Sequence, residues 1–324
     1  MPLYRIILIT TPLIVFLAYG GVILPVAAGA GDQMAIDPLV APGQLIDIGG
    51  YRLHINCRGS GSPVVILDAG LGGSSLDWIY VQENLQKDTR VCAYDRAGYG
   101  WSDPGPPPRT TVQIVDELDL LLARANIPPP YILVGHSFGG YNMQYFAKAH
   151  PSTVAGLVLV DSSHPDQAER MPELPAHADI ENGGGDLVTF FDPNVVFKYY
   201  GENMWLAVGR LMSSRKAVQT QQRELFNFNM SAYQVKELGS LPDIPLVVIS
   251  HGLHVWPDDP LGQAREREWR AMQLDLVRSV PHGRQVIAAA SGHLIQLQQP
   301  ELVAESIRQL LKSSAAPPRG GHRH

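Results

Sequence analysis

Residues 131–149 read YILVGHSFGGYNMQYFAKA: an apolar run, then Gly135-His136-Ser137-Phe138-Gly139-Gly140, then apolar residues at helical spacing (Met143, Phe146, Ala147). A strand that turns tightly into a helix puts Ser137 on the turn itself, with its hydroxyl held out at the carboxyl edge of the sheet. Small residues two before and two after the serine permit the strained turn and close helix packing. Amides at the start of that helix can face a developing negative charge. G-x-S-x-G is a loose pattern by itself. The strand before it and the helix after it make it specific.

Outward from this turn, short buried runs alternate with helical patterns. Gln44–Ile48 and Arg52–Cys57 flank Gly49-Gly50 as a hairpin. Pro63–Asp68, Arg90–Asp95, Tyr131–Gly135, Ala155–Val160, Pro245–Ser250 and Gln285–Ala290 are near-continuous in apolar residues. That pattern marks strands covered on both faces. Between them Ile114, Leu118, Leu121 and Leu122 recur at helical spacing, as do Trp269, Met272 and Leu276. Val303, Ile307, Leu310 and Leu311 form a last set, started by Pro300 at a first-turn position. The fold class is α/β, a mostly parallel eight-stranded sheet with helices on both faces. Residues 163–242 break the rhythm. A simple crossover needs only about a dozen residues, so this stretch is an insertion, read as a helical lid whose aromatics mostly form its own core.

A serine hydroxyl needs a base to take its proton, and position must choose among eleven histidines. His293 follows the last strand in Ala290-Ser291-Gly292-His293, just before the C-terminal helix. Strand ends of a parallel sheet share one edge, so His293 can reach Ser137. His136 adjoins the serine, but its side chain should point away through the turn. His251 and His254 follow another strand and are the second choice for the base; otherwise they line the cleft or the surface.

The GHSFGG elbow, the segment Asp95-Arg96-Ala97-Gly98-Tyr99-Gly100-Trp101-Ser102 and the terminal Ser291-Gly292-His293 make the chain similar to the α/β-hydrolase superfamily, particularly its lidded esterase-like members. The resemblance covers residues 44–312 and implies the order serine, acid, histidine. The family's usual acid follows the strand after the lid, yet that loop reads His251-Gly252-Leu253-His254. Asp161, at the end of LVLVD, is the favoured substitute; Asp258 or Asp259 is the alternative. By the same resemblance the N–H groups of Leu71 and Phe138 form the oxyanion hole, in the loop Ala69-Gly70-Leu71-Gly72-Gly73 and at the elbow. Asp95 and Arg96 make a structural turn. The family strand order sets the second strand beside the fourth, which brings Cys57 and Cys92 together as a disulfide.

Composition bounds the rest. The chain has 324 residues, 45% hydrophobic and 17% charged, with a formal net charge of −6. Such a chain offers no electrostatic footprint for nucleic acid. No Walker or G-x-G-x-x-G pattern indicates a nucleotide, so no cofactor and no metal site are expected. Arg5 is the only charged side chain before Asp32, and Ile6–Ala30 is apolar. Residues 1–30 are either a cleaved secretory signal ending at Ala28-Gly29-Ala30 or a membrane anchor. Both place the remainder outside the cytoplasm. Residues 31–43 are a linker, 44–162 and 243–312 the hydrolase core, and 313–324 a disordered tail. The expected activity is hydrolysis of small-molecule carboxylic esters. Perhydrolysis, C–C bond hydrolysis and a non-enzymatic ligand receptor are the alternatives on the same fold. Epoxide hydrolases and dehalogenases of the family use a carboxylate nucleophile where this chain has Ser137.

Overall fold

The computed structural model describes residues 40–171, 198–200 and 202–315. The expectations for residues 1–30, most of the linker, the tail from residue 316 and part of the insertion lie outside the described residues. No helix among the described residues is long and apolar enough to cross a membrane.

Eight strands form one sheet: β1 (Gln44–Asp47), β2 (Arg52–Arg58), β3 (Val64–Asp68), β4 (Val91–Tyr94), β5 (Tyr131–His136), β6 (Val154–Val160), β7 (Leu246–His251) and β8 (Arg284–Ala288). Their order is β1-β2-β4-β3-β5-β6-β7-β8. The β1–β2 and β2–β4 pairs are antiparallel and every other pair is parallel. Strand ends fall within a residue or two of the apolar runs. All carboxyl ends from β4 to β8 therefore share one edge.

Alternate residues of the buried strands feed two separate cores. On one face Ile66, Leu133, Leu157 and Val248 meet Val115, Leu118 and Leu122 of α2 (Thr111–Arg124) and Met143 and Phe146 of α3 (Phe138–Ala149). On the other, Leu67, Val134, Val158 and Ile249 meet Val81 and Leu85 of α1 (Ile79–Leu85). They also meet Val303 and Ile307 of the C-terminal helix, Pro300–Ala315. Each such side chain contributes about 1.5–3 kcal/mol by leaving water. Burial on both faces is why these strands show no polar alternation. Helix α1 carries too short an apolar stripe to stand out in the sequence.

Cys57 and Cys92 are direct cross-strand partners on β2 and β4, with Cα atoms 4.0 Å apart, and they form a disulfide. The bond ties the antiparallel end of the sheet to its parallel part.

After β6 come α4 (Gln167–Arg170), α5 (Glu202–Met212), α6 (Arg215–Phe226) and α7 (Phe228–Glu237). Then follow β7, α8 (Pro260–Arg278), β8, α9 (Ile295–Gln298) and α10 (Pro300–Ala315). The inserted aromatics do not gather into a core of their own among the described residues. Phe228 packs on Phe138 and Tyr141 of the elbow helix, with ring centroids 5.7 and 5.2 Å away. Tyr200 donates to Asp77 at 2.6 Å, while Phe226 and Tyr233 are exposed. The hydrolase core offers the Phe228 and Tyr200 rings a ready apolar face.

Candidate active site

Ser137 links β5 to α3 with φ 51° and ψ −120°, in a region that L side chains rarely adopt. Its amide donates to the Val160 carbonyl at 3.2 Å, and its own carbonyl accepts from Gly140 and Ser163. The flanking glycines are needed for space. A β-carbon on Gly139 would lie 2.5 Å from the Asp68 carbonyl oxygen, and one on Gly135 equally close to the Gly139 carbonyl. The half-buried serine stands between buried neighbours, His136 and Phe138.

Asp161 directly follows the next strand, β6, and is likewise strained, with φ 42°. It is fully buried. Its Oδ2 accepts from Nδ1 of His293 at 2.7 Å and Nδ1 of His251 at 2.8 Å. Its Oδ1 accepts from the His251 amide at 3.2 Å and the Trp269 indole at 3.0 Å. Burial alone would raise this carboxyl, but the charges and hydrogen bonds of His251 and His293 outweigh it and hold it well below the usual carboxylate range.

His293 lies in the loop between β8 and α9. With Nδ1–H directed at a carboxylate, Nε2 is the basic nitrogen of the neutral ring. Its ring rests against His136, centroids 4.6 Å apart, and meets Trp269 edge-on. His136 does not turn away from the site as expected. Its Nε2 donates to the His293 carbonyl at 2.9 Å, which leaves Nδ1 to accept from Gln296 at 3.2 Å. Burial, aided by the nearby His293, pushes His136 down to about 3, so it stays neutral. Strand alternation puts His136 on the same face as Val134, opposite the face of Leu133 on which α3 packs.

Asp258 and Asp259 serve the start of α8. Asp259 caps it, accepting from the Gly262 amide at 2.7 Å, and Asp258 accepts from Gln263 at 2.9 Å. Of the second-choice histidines, His254 is exposed. His251 is buried rather than on the surface.

Leu71 and Phe138 are both buried beside Ser137. A β-carbon on Gly70 would lie 3.3 Å from the Ser137 β-carbon, which fixes how closely this loop approaches the elbow. The Phe138 amide belongs to the first turn of α3, where amides lack an intrahelical acceptor. Arg96 holds the loop from behind. Its guanidinium donates to the carbonyls of Ala69 at 2.6 Å and Gly70 at 2.9 Å, and to Asp68 at 2.8 Å. It also grips both oxygens of Glu224 on α6, each at 2.9 Å. Tyr99 bridges the same pieces, donating to Glu224 at 2.9 Å and accepting from the Gly72 amide at 3.3 Å. The Asp95-Arg96 turn is structural, as expected, but its Glu224 partner has no sequence signal. A lone carboxylate on an amphipathic helix reads as solvated. A surface hollow of about 490 Å³ lies at the opposite, amino edge of the sheet beside Gly59, Arg90 and Pro129. It is remote from this chemistry.

Comparison with known proteins agrees with this architecture. A family model described as alpha/beta hydrolase fold matches residues 63–192. The chain is 38% identical over 136 residues to a probable transporter, efuK, of Hormonema carpetanum, across 40% of this chain but only 20% of that protein. It is 27% identical over 258 residues to the uncharacterized protein YqjL of Bacillus subtilis, covering 79% of this chain and 87% of the relative. Among solved structures, an epoxide hydrolase from Vigna radiata superposes with a TM-score of 0.64 at 16% identity, over 86% of this chain and 100% of that one. Other chains of the same fold carry the names esterase, lipase and enol-lactonase. The sheet order, the serine elbow, the family match and the structural neighbours together show the α/β-hydrolase fold.

Proposed function

We propose that the protein is a serine hydrolase that cleaves carboxylic esters through an acyl-enzyme, with Ser137 as nucleophile, His293 as base and Asp161 as orienting acid. The observation that carries this reading is the 2.7 Å bond from His293 Nδ1 to the buried Asp161 carboxylate, one strand away from a strained, half-buried serine. His293 Nε2 takes the hydroxyl proton as Ser137 Oγ attacks the ester carbonyl. The amides of Leu71 and Phe138 stabilise the oxyanion, each worth about 3–4 kcal/mol in the transition state. Collapse of the tetrahedral adduct breaks the bond to the alcohol, which leaves with the proton from His293. Water, deprotonated by the same nitrogen, then releases the acid and restores the serine.

Epoxide opening on this fold requires a carboxylate at the elbow, and the side chain there is Ser137. Export of the catalytic part is supported by the Cys57–Cys92 disulfide, since such bonds persist in oxidising compartments. The test is labelling with a fluorophosphonate probe, followed by p-nitrophenyl esters of increasing chain length. Wild-type protein should label at Ser137 and hydrolyse the esters, and Ser137→Ala should do neither. Folded wild-type protein that resists the probe would refute the proposal.

A further inference from the structure

The hydrogen bonds behind His293 run one residue further than a serine, a base and an acid require. His251 ends β7, next to the loop where the resemblance implies the acid, and it is buried. Its Nδ1 lies 2.8 Å from Asp161 Oδ2, and its Nε2 lies 3.0 Å from Oε1 of Glu266 on α8. A neutral imidazole carries one N–H and would turn the lone pair of its other nitrogen onto a carboxylate oxygen. The carboxylates cannot relieve this by donating. Asp161 already accepts from His293, Trp269 and the His251 amide, and Glu266 Oε1 also accepts from Arg270 at 2.8 Å.

We infer that His251 is held as an imidazolium between Asp161 and Glu266, and that it is a positioning residue for the acid with Glu266 as its counter-charge. The inference rests on the proposed role of Asp161. The groups facing His251 come from three directions: Asp161 from β6, Glu266 with Arg270 behind it from α8, and His293 beyond the shared carboxylate. The rings of Trp256 and Trp269 wall it at 6.0 and 6.5 Å. The neutral His136 lies beyond His293. Burial opposes the charged ring, yet Asp161 and Glu266 outweigh it and raise His251 to about 10. The consequence concerns the base. One carboxylate oxygen serves two rings, and a positive charge already resident on His251 opposes a second one on His293.

Two measurements test this on the full-length protein. Long-range proton–nitrogen NMR of histidine-labelled protein should show both His251 ring nitrogens protonated up to pH 8. The His251 signals are identified by their loss in His251→Asn or their shift in Glu266→Gln. In Glu266→Gln the ring should titrate below pH 8. An unprotonated ring nitrogen on His251 at pH 7 in the wild type would overturn the inference. In His251→Asn the amide nitrogen replaces Nδ1 as donor but brings no charge. The acid limb of kcat/KM should then move up by about one pH unit, with kcat within about tenfold. A limb that stays in place while kcat and KM change would reduce His251 to core packing and defeat the positioning role. The NMR reading does not depend on hydrolysis. An inactive protein with an intact imidazolium signal would therefore count against the ester proposal alone.

Discussion

Two neighbouring strands are each followed directly by a residue forced to positive φ, Ser137 after β5 and Asp161 after β6. Strain of this kind costs of order 1–3 kcal/mol per residue and persists where the surroundings over-determine it. At Asp161 four donors do so. If Asp161 orients His293, Asp161→Asn should lower kcat by about 10³–10⁴ through the wrong tautomer. Asp258→Asn should leave kcat within about twofold, because that carboxylate only meets Gln263 on an exposed turn. Steady-state kinetics on p-nitrophenyl esters separates the two, and a collapse confined to the second variant would reverse the assignment. Ser137 and His293 are legible as candidates because a strand-to-helix turn and a strand-end histidine are local patterns. The role of His251 is not legible, because it depends on Glu266 and Trp269 of α8 converging with Asp161, which follows β6, on the end of β7.

At the scale of elements, the inserted helices are bound into the core at points the sequence does not advertise. Ser231 of α7 accepts from the Thr111 amide at 3.1 Å, and Lys148 of α3 donates to the Val235 carbonyl at 2.8 Å. Glu224 of α6 is fully buried against Arg96. Removing one partner of a buried ion pair strands the other, at a cost of about 3–5 kcal/mol. Glu224→Ala should lose stability on that scale in urea unfolding. It should also lower kcat more than it raises KM, since the Arg96 guanidinium would release the Ala69 and Gly70 carbonyls next to the candidate oxyanion hole. A loss of stability with kcat intact would separate the helix anchor from the loop. The strands themselves are easy to read, because burial on both faces leaves long apolar runs. Helix α1 and the destination of the inserted aromatics are not, because neither leaves a periodic signal.

Among the described residues, eight strands, a core on each face of the sheet and the Cys57–Cys92 tie make a scaffold whose parallel strands all end at the edge that carries the candidate site. The Cys57–Cys92 bond closes a separation of 35 residues between an antiparallel and a parallel strand. Cys57→Ser with Cys92→Ser should cost about 2–5 kcal/mol, read as a lower Tm that reductant reproduces in the wild type. An unchanged Tm would mean that the sheet needs no tie. The Arg96–Glu224 pair also bears on how such a chain can diversify. The segment between β6 and β7 is the long insertion in this chain, and so the natural place for exchange of a whole block. Here that block carries the anion, Glu224, that neutralises the Arg96 guanidinium next to the end of β4. A transplanted segment lacking a carboxylate at this point would leave an orphan charge beneath the loop that faces Ser137. Exchange is therefore open only to donors that bring their own acid to the same place.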